Sequence, residues 1–177
     1  LQVDASGQLH AFNTDVIAIE EALSGRVDLQ GQSALVLGAG GVARSATAAL
    51  LRLGATVRVM NRTAARAEAL AASFEGPVEV VTEPGSVAAV VQCTSVGMST
   101  GPDPKGCPVD PAMLPNQAVL LETVYEPAFT PLREAFTQAG GLSIGGLEMF
   151  RRQAAAQCRL WTGQEPGADA LAVLDDS

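Results

Sequence analysis

Gly38, Gly40 and Ala43 fill a G-x-G-x-x-G/A spacing directly after an apolar run at residues 33–37. Each position answers a different demand. The first glycine allows a tight turn, and the second lets the backbone come close to a pyrophosphate. A small third residue lets helix pack on strand, while unpaired N–H groups at the helix start face the anion. Glycine-rich turns also simply join strands to helices, so the motif gains weight from its context. Here strand, glycines and helix follow one another in the required order. The stretch Gly38-Ala39-Gly40-Gly41-Val42-Ala43 is therefore a candidate dinucleotide-binding turn.

A second set lies at the end of the next strand-like run: Asn61, Arg62, Thr63 and, one helical turn on, Arg66. Asn61 follows Gly38 by 23 residues, close to the roughly 20 of the dinucleotide fingerprint. A site for NAD usually carries an acidic residue here, bonded to the ribose 2′-hydroxyl. A polar and cationic set instead suits a 2′-phosphate, which two guanidinium groups can match with directed hydrogen bonds. This favours NADP. The competing reading is a solvated helix start capped by Thr63 and flanked by two surface arginines.

The remaining candidates are sparse. Asn13-Thr14-Asp15 precedes a helical run, and any of the three could cap it. His10 is the only histidine, and a lone histidine on a strand is more often structural. Cys93, Cys107 and Cys158 are odd in number and lack ligand spacing, so no metal is expected, and a reduced, cytoplasmic setting is. The single lysine, Lys105, sits in a Pro/Gly loop and reads as solvated.

The elements that must position these groups alternate in type. Residues 1–12 read as strand with a turn at Ala5-Ser6-Gly7, and 16–23 as a helix. A polar linker, 24–32, leads into the strand at 33–37. Helices are expected at 41–53, 64–74, 131–139 and 147–162, with a short final one at 168–174. Further strands are expected at 56–60, 78–81, 88–92, 118–122 and 142–144. Strands alternating with helices imply an α/β, Rossmann-like doubly wound parallel sheet with helices on both faces, plus C-terminal helices. The length of 177 residues allows one domain with a real core. A net charge of −8 argues against a nucleic-acid or anionic-membrane partner. A local arginine cluster can still hold a phosphorylated cofactor. No apolar run approaches the roughly 20 residues a membrane span needs. The opening at Leu1 reads like mid-strand text, as if the chain were a piece of a longer protein.

Taken in series, Asn13-Thr14-Asp15, the turn at Gly38 to Gly41, Asn61-Arg62-Thr63-x-x-Arg66, Thr94-Ser95-x-Gly97-Met98, Tyr125-x-Pro127-x-x-Thr130-Pro131-Leu132 and Gln153-Ala154 to Trp161-Thr162-Gly163 resemble the shikimate dehydrogenase family over nearly the whole chain. The resemblance implies NADP-dependent, reversible reduction of 3-dehydroshikimate to shikimate, with the active site in a cleft between two domains. The chain resembles the C-terminal, cofactor-binding domain, with the N-terminal substrate-binding domain absent. By family pattern Asp15 is the aspartate of a catalytic Lys–Asp pair. A carboxylate can orient a substrate hydroxyl while a neighbouring ammonium protonates the developing alkoxide. The family's lysine lies upstream of this motif, and no lysine precedes Asp15 here. The same resemblance assigns substrate contacts to Asn13, Asp15, Tyr125 and Gln153. It puts Thr94, Ser95, Gly97 and Met98 beside the nicotinamide ribose, and Gly146 and Met149 in the cofactor site.

Several positions depart from the family pattern. Val16 stands where glycine is common, Gln92 where asparagine is, and Glu122 where aspartate is. Gly146-Leu147-Glu148-Met149-Phe150 looks more like the version in multifunctional shikimate-pathway proteins. None of these changes removes a charged or nucleophilic group, so they bear on subfamily more than on reaction class. Two alternatives stay open: a quinate/shikimate dehydrogenase of relaxed specificity, and a non-catalytic NADP-binding module. Phe150 and Trp161 are expected to form an exposed apolar face that favours self-association into a homo-oligomer.

Overall fold

The computed structural model describes residues 1–4 and 6–167. Gln2–Val3 (β1) and Leu9–His10 (β2) pair antiparallel. Asp4 closes this hairpin by accepting from the Ser6 hydroxyl, the Ser6 and Gln8 N–H groups and His10 Nε2. Those bonds, the Ser6 hydroxyl first, hold its carboxyl far below the usual range. His10 is thus occupied by a structural partner.

Thr14–Leu23 (α1) then leads through the polar linker to a six-stranded parallel sheet. Its strands are Ser33–Leu37 (β3), Thr56–Met60 (β4), Val78–Val80 (β5), Ala89–Gln92 (β6), Val119–Glu122 (β7) and Leu142–Ile144 (β8). They lie in the order β5-β4-β3-β6-β7-β8. The direction of winding therefore reverses between β3 and β6, and in such sheets the ligand crevice opens at the carboxyl ends of those two strands. The helices are Gly41–Arg52 (α2), Ala64–Ala71 (α3), Pro131–Gln138 (α4) and Gly146–Thr162 (α5).

The apolar run of β3 follows from its central place. Ala34, Leu35, Val36 and Leu37 are all at most 1% exposed, as a strand covered on both faces requires. Ala34 and Val36 pack with Ile19, Leu23, Ala46, Leu50 and Leu70 beneath α1, α2 and α3. Leu35 and Leu37 face the other way, against Leu120, Leu132 and Phe136 of β7 and α4. The doubly wound architecture with helices on both faces is the one the sequence implies.

The differences are local. α3 stops at Ala71 rather than at residue 74, because the Ser73 hydroxyl donates to the Leu70 carbonyl and closes the helix end. A 3₁₀ turn at Pro111–Met113, capped by Asp110, is not legible as an element in the sequence. The helix expected at 168–174 lies outside the described residues. Among the described residues no helix is long and apolar enough to cross a membrane.

Candidate functional site

The glycine-rich turn links β3 to α2. Gly38 has φ +113°, and a Cβ on it would sit 3.1 Å from both the Cys93 carbonyl oxygen and Thr94 Cγ2. Glycine is required here for backbone and for space. Gly38→Ala is expected to cost about 1–3 kcal/mol, read by chemical denaturation, and an unchanged midpoint would contradict it. Gly40 and Gly41 differ: a Cβ on either would meet nothing within 4 Å. The chain's own packing does not demand glycine there, which leaves the approach of a ligand as the reason for the bare backbone. Gly40 caps α2 with no side-chain hydrogen bond, so the first-turn N–H groups are left facing outward. Ala43 is fully buried in the core behind the turn.

A cleft of about 610 Å³ opens on the β4 side of Gly38 and includes Asn61 and Arg62 in its lining. The Asn61 amide donates to the Thr63 carbonyl at 2.8 Å and shapes the start of α3. Thr63 stands at the cap position of α3, yet its hydroxyl makes no cap bond. Arg62 and Arg66 are exposed and have no ion-pair partner among the described residues. Two cations and an open helix start at one strand end fit a phosphate group.

Across Gly38, a smaller cleft of about 280 Å³ is lined by Val42, Cys93, Thr94, Ser95, Met98 and the 123–126 segment. Two fully buried polar residues brace its walls from adjacent strand ends, Gln92 on β6 and Glu122 on β7. Gln92 accepts from Thr94 N–H and donates to the Thr94 and Val96 carbonyls, both at 3.1 Å. Glu122 accepts from Val124 N–H at 3.0 Å and from the Thr130 hydroxyl at 2.7 Å. Burial pushes the Glu122 carboxyl up to about 7, against the pull of those bonds and of Arg133. The Cys93 thiol is also held well above its usual range, by burial and then by the Glu122 and Asp15 carboxylates. Asp15 thus lies close enough to be felt at the smaller cleft.

Asp15 occupies the first turn of α1. Burial raises its carboxyl, and a hydrogen bond with the Gln153 side chain works in the opposite direction. The structure therefore brings Asp15 and Gln153 together, although they are 138 residues apart in the chain. Asn13 is the cap of α1: its Oδ1 accepts from Asp15 N–H at 3.0 Å and Val16 N–H at 3.3 Å. Its amide group donates to Ser45 Oγ at 3.0 Å, so one amide hydrogen remains for any ligand. Tyr125 is exposed at the rim of the smaller cleft and stacks on Phe150, with ring centroids 5.5 Å apart. Phe150 remains 39% exposed beside Tyr125, and Trp161 is 68% exposed, as expected of both. Gly97, Gly146 and Met149 line neither cleft. Gly97 is packed against Thr130, Gly146 against the Val124 carbonyl, and Met149 lies in the core. Among the described residues no group of three His, Cys, Asp or Glu could hold a metal ion.

The family model described as shikimate / quinate 5-dehydrogenase matches residues 20–96, and the model of the shikimate 5′-dehydrogenase C-terminal domain matches residues 146–171. A shikimate dehydrogenase (NADP(+)) of Methanocella arvoryzae is 36% identical over 170 residues, covering 93% of this chain and 63% of that protein. The chain belongs to the shikimate dehydrogenase family. It spans 63% of the length of that relative. Within the family, the shikimate 5-dehydrogenase of Thermus thermophilus was solved in complex with NADP(H) and shikimate. It superposes with a TM-score of 0.81 at 32% identity, over 97% of this chain and 65% of the other. Quinate dehydrogenase from Corynebacterium glutamicum, solved with NAD, gives a TM-score of 0.82 at 28% identity over 98% and 65%.

Sequence reasoning misses what Gln92, Glu122, Ser45 and Cys93 do in this family member. A signal exists for the first two. Each is a polar residue closing an otherwise apolar strand, at the sheet edge where ligands bind. Ser45 carries no such signal, since a serine within a small-residue helix is unremarkable.

Proposed function

We propose that this chain provides the NADP(H) site and the catalytic carboxylate of a shikimate dehydrogenase, which reduces 3-dehydroshikimate reversibly to shikimate. The observation that carries the reading is the combination of a bare phosphate turn and two exposed arginines, without ion-pair partners among the described residues, on one side of Gly38 with a half-buried carboxylate, Asp15, on the other. The bound cofactor supplies the hydride. Gly40, Gly41 and the first turn of α2 hold its pyrophosphate, and Asn61, Arg62, Thr63 and Arg66 hold the 2′-phosphate. Thr94, Ser95, Met98 and Val42 shape the nicotinamide end, and Gly97, Gly146 and Met149 support that end through packing. Asp15 accepts from a substrate hydroxyl and orients it, with Gln153 and Tyr125 as further contacts and Asn13 offering its remaining amide hydrogen. Lys105 is exposed on a loop beside the larger cleft, far along the chain from Asp15. The ammonium that partners Asp15 belongs, by the family resemblance, to a substrate domain N-terminal to these residues.

The test uses the purified 177-residue chain. NADP+ is expected to bind measurably by calorimetry, and more tightly than NAD+. Oxidation of shikimate by the chain alone is expected to be slight. Turnover comparable to that of a two-domain family enzyme would refute the dependence on an ammonium from outside these residues, and absence of NADP+ binding would refute the whole reading. Assays with shikimate and quinate against both cofactors separate the shikimate reading from a quinate-preferring one, for which an acidic residue in place of the Asn61-Arg62 pair would be the expected cofactor contact.

A further inference from the structure

We propose that Asn13 and Ser45 form a positioning link between the start of α1, which bears Asp15, and the first turn of α2, which receives the cofactor phosphates. The inference rests on the functional reading above and adds a coupling between its two halves.

The link is a chain of hydrogen bonds with a fixed polarity. Ser45 is 3% exposed, and its hydroxyl donates to the Gly41 carbonyl one turn back, at 3.4 Å. A hydroxyl has one hydrogen, so with that hydrogen engaged its oxygen can only accept from Asn13. Asn13 must therefore present its NH₂ group to Ser45, at 3.0 Å. That choice turns its Oδ1 onto α1, where it accepts from the Asp15 and Val16 N–H groups at 3.0 and 3.3 Å. Reversing the amide would break both ends at once. The chain runs from the backbone of Asp15, through two side chains, to the first residue of the phosphate-binding helix.

Neither residue is needed where it stands for its own helix. A serine would cap α1 as well as asparagine does. Alanine would suit the interior of α2 better than a serine bonded back to its own turn. What asparagine and serine add is the bond across helices separated by 32 positions in sequence. An anion seated on the Gly40–Gly41 turn orders the first turn of α2. Through Ser45 and Asn13 that order extends to the N–H groups of Asp15 and Val16, and so to the direction of the Asp15 side chain.

Amide hydrogen exchange in the whole chain tests this, with NADP+ as the probe. Saturating NADP+ is expected to slow exchange at the Asp15 and Val16 amides about tenfold, a coupling within the usual range between sites. In Ser45→Ala the slowing should fall below about twofold, with NADP+ affinity kept within about twofold of the parent. Asn13→Ser retains the cap and removes the amide arm, so it should show the same loss, and the double variant no more than either single one. A role confined to capping or packing would raise exchange equally with and without NADP+. Full NADP+-dependent slowing in Ser45→Ala, or none in the parent while NADP+ binds, would overturn the link. Failure of NADP+ to bind would instead overturn the functional reading, and the link with it.

Discussion

Replacing Glu122 by alanine is expected to cost about 4 kcal/mol, since it strands two buried donors at roughly 1–3 kcal/mol each. The donors are the Val124 N–H and the Thr130 hydroxyl. Thr130 also caps α4 by accepting from Arg133 N–H at 3.2 Å. One carboxyl thus braces both the wall of the smaller cleft and a helix start. Glu122→Gln keeps the shape and isolates the charge. In the folded chain burial lifts the Glu122 carboxyl from 4.5 to about 7, so the folded state holds the proton more tightly than the unfolded one. The stability this contributes is fully present below pH 4.5, and it is lost as the pH rises through 7. The full loss is on the order of 3 kcal/mol.

Other groups add their own slopes, but they are common to parent and variant. The difference between Glu122→Gln and the parent should therefore move in the variant's favour by that amount between about pH 4.5 and pH 8. Urea midpoints across this range measure it. Parallel pH profiles for the two proteins would mean that Glu122 holds its proton no more tightly in the folded chain than in the unfolded one.

The second large effect concerns cofactor choice. Arg62→Ala combined with Arg66→Ala should weaken NADP+ binding about 100-fold, since a hydrogen bond to a charged group is worth roughly 1.5–3 kcal/mol. NAD+ has no 2′-phosphate, so its affinity should change less than about threefold. Both side chains are exposed and lack ion-pair partners among the described residues, and the double variant should unfold with the parent's midpoint. The parent's preference for NADP+ should also shrink as salt is raised, because exposed guanidinium–phosphate attraction is screened. Equal losses for NADP+ and NAD+ would place the arginines elsewhere than at the 2′-phosphate.

Much of the framework is legible in the residues alone. The run Ser33–Leu37 is apolar without alternation, and only a strand covered on both faces tolerates that. The glycines after it, and Asn61-Arg62 at the end of the next strand, act through backbone freedom and local charge. Both are properties of short stretches, so their spacing survives reading in one dimension. Element order then implies a parallel sheet, because parallel neighbours need a crossover between them.

Other features depend on residues that only folding makes neighbours. Asp15 and Gln153 meet because α1 packs on α5. Asn13 reads locally as one of three possible caps, and its second bond exists only because α2 brings Ser45 beside it. Gln92 and Glu122 look like family variants in the sequence, and the fold makes them adjacent buried braces. Phe150 reads as half of an exposed patch and is exposed, and only the fold adds Tyr125 to it, stacked on its ring. The sequence by itself determined the parallel sheet, the glycine-rich turn and the cationic strand end, through periodicity, glycine and charge, whereas the strand order and its switch point came with the fold. Tertiary structure alone decided which polar groups are desolvated and which donors they answer. Burial and hydrogen-bond pairing belong to a position in space, and the order of residues along the chain does not specify them.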